Sequence, residues 1–276
     1  MNKIILKDLQ QEGNIYLCNF INTIQEDEIK LRDNIAMQFE SDYLSIISKS
    51  HSIPVMDIEV ERFLLKIPAN GNILDVGGCW GWHWRNIHKL RPDVNIFILD
   101  FVKSNLKHAE VILKELVNKN VFLIHGDATN LIFDDSQFDG YWSVQTLQHI
   151  PNYEKVIKEG HRVLKSNGYF VNYSLNNQWI VKLIYKLFGK YYHISGYIPN
   201  TYYLSRLTKE QIFIVESIFN REIVLRYSEI LYKPELRITF TGKEKSYFAK
   251  IDSFLSNNYG LFSGLARQVS FHIKKD

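Results

Sequence analysis

The sequence predicts a doubly wound α/β protein on a mostly parallel, seven-stranded sheet, with helices ahead of the core and a cap inserted after the fifth strand. Three observations predict it. Strand-like and helix-like segments alternate from Ile73 to Tyr173, at lengths that suit right-handed βαβ units. The strands are continuous apolar runs such as "NIFIL" and "VFLI", as a sheet covered on both faces requires. The first strand ends in a glycine turn, "DVGGCWG", which opens a helix. An open parallel sheet binds its ligands beyond the carboxyl ends of its strands, where this turn falls.

From about Asp27 to Lys66 the pattern is mostly helical, broken at "HSIPVMD", with Val55, Ile58, Phe63 and Leu64 forming an apolar face after Pro54. Residues 1–66 read as an N-terminal helical lid and 67–276 as the core. Ile73–Val76 is a strand, Trp82–Leu90 a helix ended by Pro92, and Val94–Leu99 a strand. Ser104–Asn118 is a helix, Val121–His125 and Phe138–Val144 are strands, Tyr153–Leu164 a helix and Tyr169–Tyr173 a strand. The rhythm then changes to an aromatic-rich insertion, residues 176–207. A helix at Thr208–Phe219, a strand at Glu222–Leu231, a charged stretch and a last strand at Ala266–Ile273 complete the chain.

Hydrophobic residues at 46% and charged residues at 23% describe an ordinary globular protein, and a net charge of +3 does not by itself point to nucleic acid. The two cysteines, Cys18 and Cys79, make no disulfide framework. The start, "MNKIILKDLQQEGN", lacks the apolar core of a signal peptide, and no stretch approaches the roughly 20 apolar residues of a membrane span. The expected location is the cytoplasm.

The glycine turn could be a tight turn without a ligand, or a place where a ligand meets the backbone. A dinucleotide fingerprint fails, because Cys79 and Trp82, or Trp80 and His83, stand where its second and third glycines belong. No Gly-Lys-Ser/Thr follows, so a phosphate loop fails too. Asp100, at the end of the next strand, can accept both hydroxyls of a ribose, or can simply cap a helix.

These residues together resemble the class I S-adenosylmethionine-dependent methyltransferases, a Rossmann-like family. "LDVGGCWG" looks like their first motif, with Asp75, Gly77 and Gly81 in place, Gly78 beside them, and Cys79 at the middle glycine. A small residue can serve there if its φ is negative. By the same resemblance Asp100 binds the ribose with Phe101 next to it, Asp127 and Ala128 meet the adenine, and Ser143 and Val144 close the pocket. The implied cofactor is S-adenosyl-L-methionine. The ordered motifs span about Asn72 to Tyr173, "RVLKSNGYFV" included. Trp80 and Trp84 are core candidates, and Trp82 or His83 is left to face the cofactor.

Methyl transfer from a sulfonium requires alignment above all, with a base only where the acceptor must lose a proton. The base candidates are His149, in "QTLQHIPNY", and His51, in "SHSIPVMD"; His149 also reads as a helix-start histidine bonded to backbone. Asn172 and Tyr173 are expected to line the acceptor site. No metal-binding spacing stands out, and Cys79 does not read as a nucleophile.

In the insertion, Ile180, Leu183, Ile184 and Leu187 recur at helical spacing, with Lys182, Lys186 and Lys190 on another side. The helix reads as a cap packed on its own domain, or as an amphipathic helix on an anionic membrane. Tyr191, Tyr192, Tyr197, Tyr202 and Tyr203 fit a pocket for a ring or sugar, and equally an interface or the core. The expected activity is O- or N-methylation of a small molecule. Its rivals are methylation of a lipid-like or quinone acceptor at a membrane surface, and a non-catalytic cofactor- or partner-binding module. Nucleic acid is not an expected partner.

Overall fold

Successive residues of a strand point to opposite faces of a sheet, and here both faces are apolar. The computed structural model describes residues 6, 9–18, 29–30, 32–34, 52–189, 209–231 and 246–276. Its core repeats strand and helix: β3 (Asn72–Val76), β4 (Asn95–Asp100), β5 (Val121–His125), β6 (Phe138–Val144) and β7 (Leu164–Leu175). Two shorter strands precede them, β1 (Gln10–Glu12) and β2 (Ile15–Leu17), and two follow, β8 (Val224–Ser228) and β9 (Gln268–Lys274). The sheet order is β1-β2-β5-β4-β3-β6-β7-β9-β8.

Strands β2 to β7 pair in parallel, and β9 runs antiparallel between β7 and β8. The order reverses at β3, where the chain moves outward through β4 and β5 and then returns to β6. A doubly wound sheet opens its crevice at that reversal. The described residues thus hold nine strands where seven are predicted; the extra pair is a hairpin at Gln10–Leu17. That hairpin lies inside the segment expected to be a helical lid, and its second strand extends the sheet along β5.

Helices cover both faces. On one side, α1 (Ser52–Leu64), α2 (Ile87–Leu90) and α3 (Lys103–Leu113) bury Met56, Val60, Phe63, Ile87, Leu106 and Leu113 against Ile73, Ile96, Ile98 and Trp142. On the other, α4 (Tyr153–Val163) and α6 (Lys209–Phe219) bury Val156, Ile157, Val215 and Phe219 against Leu74, Phe97, Tyr141 and Phe170. Between α4 and α6 the described chain adds α5 (Trp179–Leu187), and after β8 come α7 (Tyr247–Asn258) and α8 (Gly260–Ser263).

The predicted helix at Trp82–Leu90 is instead a 3-10 turn, Trp82–Trp84, followed by the single turn α2. Two adjoining residues hold this segment in different directions. Trp84 donates inward to Asp75, while Arg85 makes a two-bonded ion pair with Asp57 of α1 at 2.7 and 2.8 Å. The predicted strand Tyr169–Tyr173 extends from Leu164 to Leu175, with an irregular register near Phe138 and Gly140.

Phe63 ties α1 to the sheet, its ring 5.0 Å from Trp142 and 6.4 Å from Tyr169. Phe63→Ala should lower unfolding stability by about 3–5 kcal/mol in urea titration with an unchanged slope. A loss under 1 kcal/mol would show that α1 contributes little to the core.

Candidate active site

The site begins with a carboxylate that has no route to water. Asp75 is buried in β3, and its Oδ2 accepts a hydrogen bond from the Trp84 indole at 2.7 Å. A Cβ on Gly78 would stand 2.4 Å from that same oxygen, so the turn folds over the carboxylate only with glycine there. Gly77 and Gly81 adopt φ of 69° and 65°, the left-handed region. A side chain on Gly77 would also run into Thr146, and one on Gly81 into Leu113 and Ile98.

Cys79 departs from expectation. It is held at φ 50°, in the left-handed region where the middle glycine of the motif would be unstrained. Its N–H donates to Asp100 Oδ2 at 2.9 Å, and that bond holds the residue in place. Asp100 Oδ1 accepts from Val102 N–H at 2.8 Å and from Asn105 at 3.4 Å. Asp100 therefore both stabilises the turn into α3 and joins the glycine loop to the end of β4.

Beyond these strand ends lies a small, open cleft lined by Val76, Gly77, Leu99, Asp100, Phe101, Gly126, Asp127, Ala128, Thr146 and Ile150. It brings together six of the residues the sequence selects: Gly77, Asp100, Phe101, Asp127, Ala128 and, through its N–H on Asp100, Cys79. Asp127 Oδ1 accepts from Thr129 N–H at 2.7 Å. Ser143 is buried, and its hydroxyl donates to the Val76 carbonyl at 2.8 Å, tying β6 to β3 rather than lining the cleft. The Val144 carbonyl accepts from Thr146 at 3.2 Å.

His83 is placed elsewhere. It lines a separate, wider groove with Asp57, Glu61, Asn86, Lys89 and Lys250, and its ring meets the edge of Trp142 at 6.1 Å. Burial, with Arg85 nearby, lowers its pKa to about 4. Trp80 stacks on His108 at 4.5 Å and donates to Asn105, as a core residue would. Trp82 carries the Arg85 guanidinium 4.6 Å over its ring. Asn172 and Tyr173 are buried instead of lining an open site, and the Tyr173 hydroxyl donates to Glu59 of α1 at 3.0 Å.

His149 ends a 3-10 turn, Leu147–His149, between the cleft residues Thr146 and Ile150, and its N–H donates to the Thr146 carbonyl at 2.9 Å. His51 and the insertion tyrosines 191–203 lie outside the described residues. Thr146, which sequence reasoning passes over, packs on Gly77 and donates to its carbonyl at 3.2 Å. Its signal was position alone, two residues past β6 at the ligand edge. Arg32, also unselected, acts electrostatically on Asp100 and Cys79.

Residues 74–172 match the family profile of the methyltransferase domain. A demethylmenaquinone methyltransferase of Listeria welshimeri is 35% identical over 108 residues, covering 38% of this chain and 45% of the relative. A ubiquinone/menaquinone biosynthesis C-methyltransferase of Rickettsia prowazekii is 28% identical over 160 residues, 54% of this chain and 63% of that one. A solved S-adenosylmethionine-dependent methyltransferase from Thermotoga maritima shares the fold at a TM-score of 0.57. It is 16% identical, and the match covers 90% of this chain and 99% of that one.

Over residues 74–172 the α/β core of this chain carries a methyltransferase domain, and it is similar to the S-adenosylmethionine-dependent methyltransferases in sequence and in fold. The chain spans about half the length of the curated relatives it matches first, 45% of the Listeria protein.

Burial raises Asp75 to about 7 and Asp100 to about 6, from an ordinary 3.8. Between about pH 4 and 7 the folded chain then holds more protons than the unfolded chain, so these groups make stability fall as pH rises. Asp75→Asn keeps an oxygen for Trp84 and removes the titration. Urea unfolding at pH 5 and pH 8 should show a larger loss across the interval in wild type than in the variant. Equal losses would place the Asp75 carboxyl in the ordinary range.

Proposed function

We propose that this chain transfers a methyl group from S-adenosylmethionine to a ring carbon of a quinone-class acceptor in its reduced, hydroxyl-bearing form. The observation that carries the cofactor assignment is the cleft beyond β3, β4 and β5. Its walls are apolar, from Val76, Leu99, Phe101, Ala128 and Ile150, and its charged side chains are the carboxylates of Asp100 and Asp127. Apolar walls with acceptors at two points suit a nucleoside, whose base stacks and whose hydroxyls and amine donate. A phosphate would meet two like charges there.

In this reading Asp100 accepts from the ribose, Asp127 accepts from the adenine amine, and Phe101 and Ala128 pack on the base. The backbone of Gly77, Gly78, Cys79 and Gly81 faces the methionine portion, with Asp75 holding the turn from below. Ser143 and Val144 support the wall from β6. His83 keeps at most a distant place in it, since it opens on the other groove. Residues 1–66 retain their proposed part as a lid over the core, with Arg32 acting on Asp100.

The bound cofactor supplies a methyl group already activated on a sulfonium. His149 takes a proton from the acceptor hydroxyl, which raises electron density at the neighbouring ring carbon. With the carbon methylated, its own proton would leave to solvent and His149 would return the hydroxyl proton, restoring the ring and the free base. His51 is the second candidate for that proton. The names of the relatives support carbon and a quinone over the oxygen or nitrogen preference drawn from sequence. The small-molecule acceptor, rather than nucleic acid, is common to both readings.

Calorimetric titration with S-adenosylhomocysteine should give saturable 1:1 binding, weakened at least tenfold in Asp100→Ala. A folded wild type without binding would overturn the cofactor assignment. With labelled S-adenosylmethionine and a 2-prenyl-1,4-naphthohydroquinone, label should enter the ring, and His149→Ala should lower kcat by about 10²–10⁴-fold. Label on oxygen would remove the carbon assignment, and full turnover in the variant would remove His149 as the base.

A further inference from the structure

A helix that caps its own domain buries its apolar side, and α5 does the reverse. At roughly 100° per residue, Val181 and Tyr185 share one side of α5. Val181 is buried and Tyr185 half-buried. The opposite side presents Trp179, Leu183 and Leu187, exposed by 53, 48 and 76%, with Ile184 at its margin and Phe188 just past the end, exposed by 43 and 75%. Lys182 and Lys186 flank that face, both exposed, and Lys182 also reaches Asn177.

The face continues onto a neighbouring element. Asn176 donates to the carbonyls of Ser263 and Ala266 at 2.6 and 2.9 Å, and Ile180 N–H to that of Gly264 at 3.3 Å. Gly264 has no room for a side chain beside Trp179 and Ile180, so α5 sits directly on the α8 turn. There Leu261 is 67% exposed.

Charge selects the occupant. No Asp or Glu stands between Glu159 and Glu210, while Lys182, Lys186, Lys190, Arg206 and Lys209 do. The run from Phe254 to Gly264 carries no charge of either sign. Exposed aromatic and aliphatic side chains with lysines alone at the margin match an anionic lipid surface, where apolar groups enter the acyl boundary and cations meet the headgroups. Protein partners of a basic apolar face would require acidic counterparts, which this chain's own patch does not offer to a second copy.

We infer that the exposed face of α5, with the adjoining α8 turn, docks the protein on an anionic membrane surface. The inference deepens the quinone-class reading, on which the acceptor's identity rests: α5 leaves β7 at Leu175, and Gln148, next to His149, accepts from Ser174 and from Leu175 N–H. The docking face therefore lies at the same sheet edge as the cleft, where an apolar acceptor leaving the bilayer would enter.

The test uses the full chain and sucrose-loaded vesicles of phosphatidylglycerol and phosphatidylcholine, beside vesicles of phosphatidylcholine alone, with S-adenosylhomocysteine affinity measured separately. Wild type should sediment with the anionic vesicles at least tenfold more tightly than with neutral ones. Lys182→Glu with Lys186→Glu should weaken this by about 25-fold or more, at about fivefold for each lysine. Leu183→Ser with Leu187→Ser and Phe188→Ser should abolish it at unchanged S-adenosylhomocysteine affinity. Folded wild type left in the supernatant would overturn the inference. So would variants that sediment like wild type, or a patch variant that only converts a dimer to a monomer by light scattering. Vesicle binding without S-adenosylhomocysteine binding would uphold docking while overturning the methyltransferase reading.

Discussion

The glycine turn stands on one buried bond, from the Trp84 indole to the Asp75 carboxylate. A carboxylate removed from water costs free energy unless it is partnered or protonated, and Asp75 is partly both, with one strong donor and a pKa raised to about 7. Gly78 must lack a side chain for the turn to close over it, and Trp84 must point inward to reach it. That requirement explains a tryptophan three residues past the left-handed Gly81. It also explains why the segment leaves the turn as a short 3-10 run and not a regular helix.

From that turn the site follows by short steps. The turn presents the Cys79 N–H to Asp100, and Asp100 in turn holds Val102 at the start of α3. One carboxylate at the end of β4 thus joins two loops and borders the cleft. Asp127 sits at the end of the next strand, bonded only locally to Thr129 among the contacts described. The two acids differ accordingly: Asp100 is built into the scaffold, while Asp127 is open to its surroundings. The cleft is thus tied to the scaffold by more bonds at Asp100 than at Asp127.

The other half of the ligand edge is polar but closed. Glu229 is buried, at φ 63°, and is reached by Ser52 at the start of α1, by Arg267 at 3.1 Å and by Gln268 at 2.9 Å. A buried carboxyl group held by several donors keeps its neighbours in one arrangement. The first residue of α1 is thereby tied to the tops of β8 and β9. The chain leading to α5 joins the same cluster, since Asn176 donates its N–H to the Arg267 carbonyl at 2.8 Å. No described helix is long and apolar enough to cross a membrane.

Most of the core was legible in the sequence because local rules govern it. Apolar runs of strand length alternate with helical periods, and glycines and acids fall at the strand ends, so strands β5 and β6 and the residues Asp75, Gly77, Asp100 and Asp127 could be placed without coordinates. The hairpin Gln10–Leu17 could not, because three-residue strands carry too little pattern to read. The inward bond of Trp84, the left-handed Cys79 and the packing of Thr146 on Gly77 join residues set by different elements. Direction was illegible for the same reason: His83 faces another groove, Tyr173 reaches Glu59, and α5 turns its apolar side outward. The sequence alone determined the order of the strands along the chain and which chemical groups stand at their ends. Only the tertiary structure decided which of those groups meet, because the facing of a side chain is set by what packs against it from distant parts of the chain.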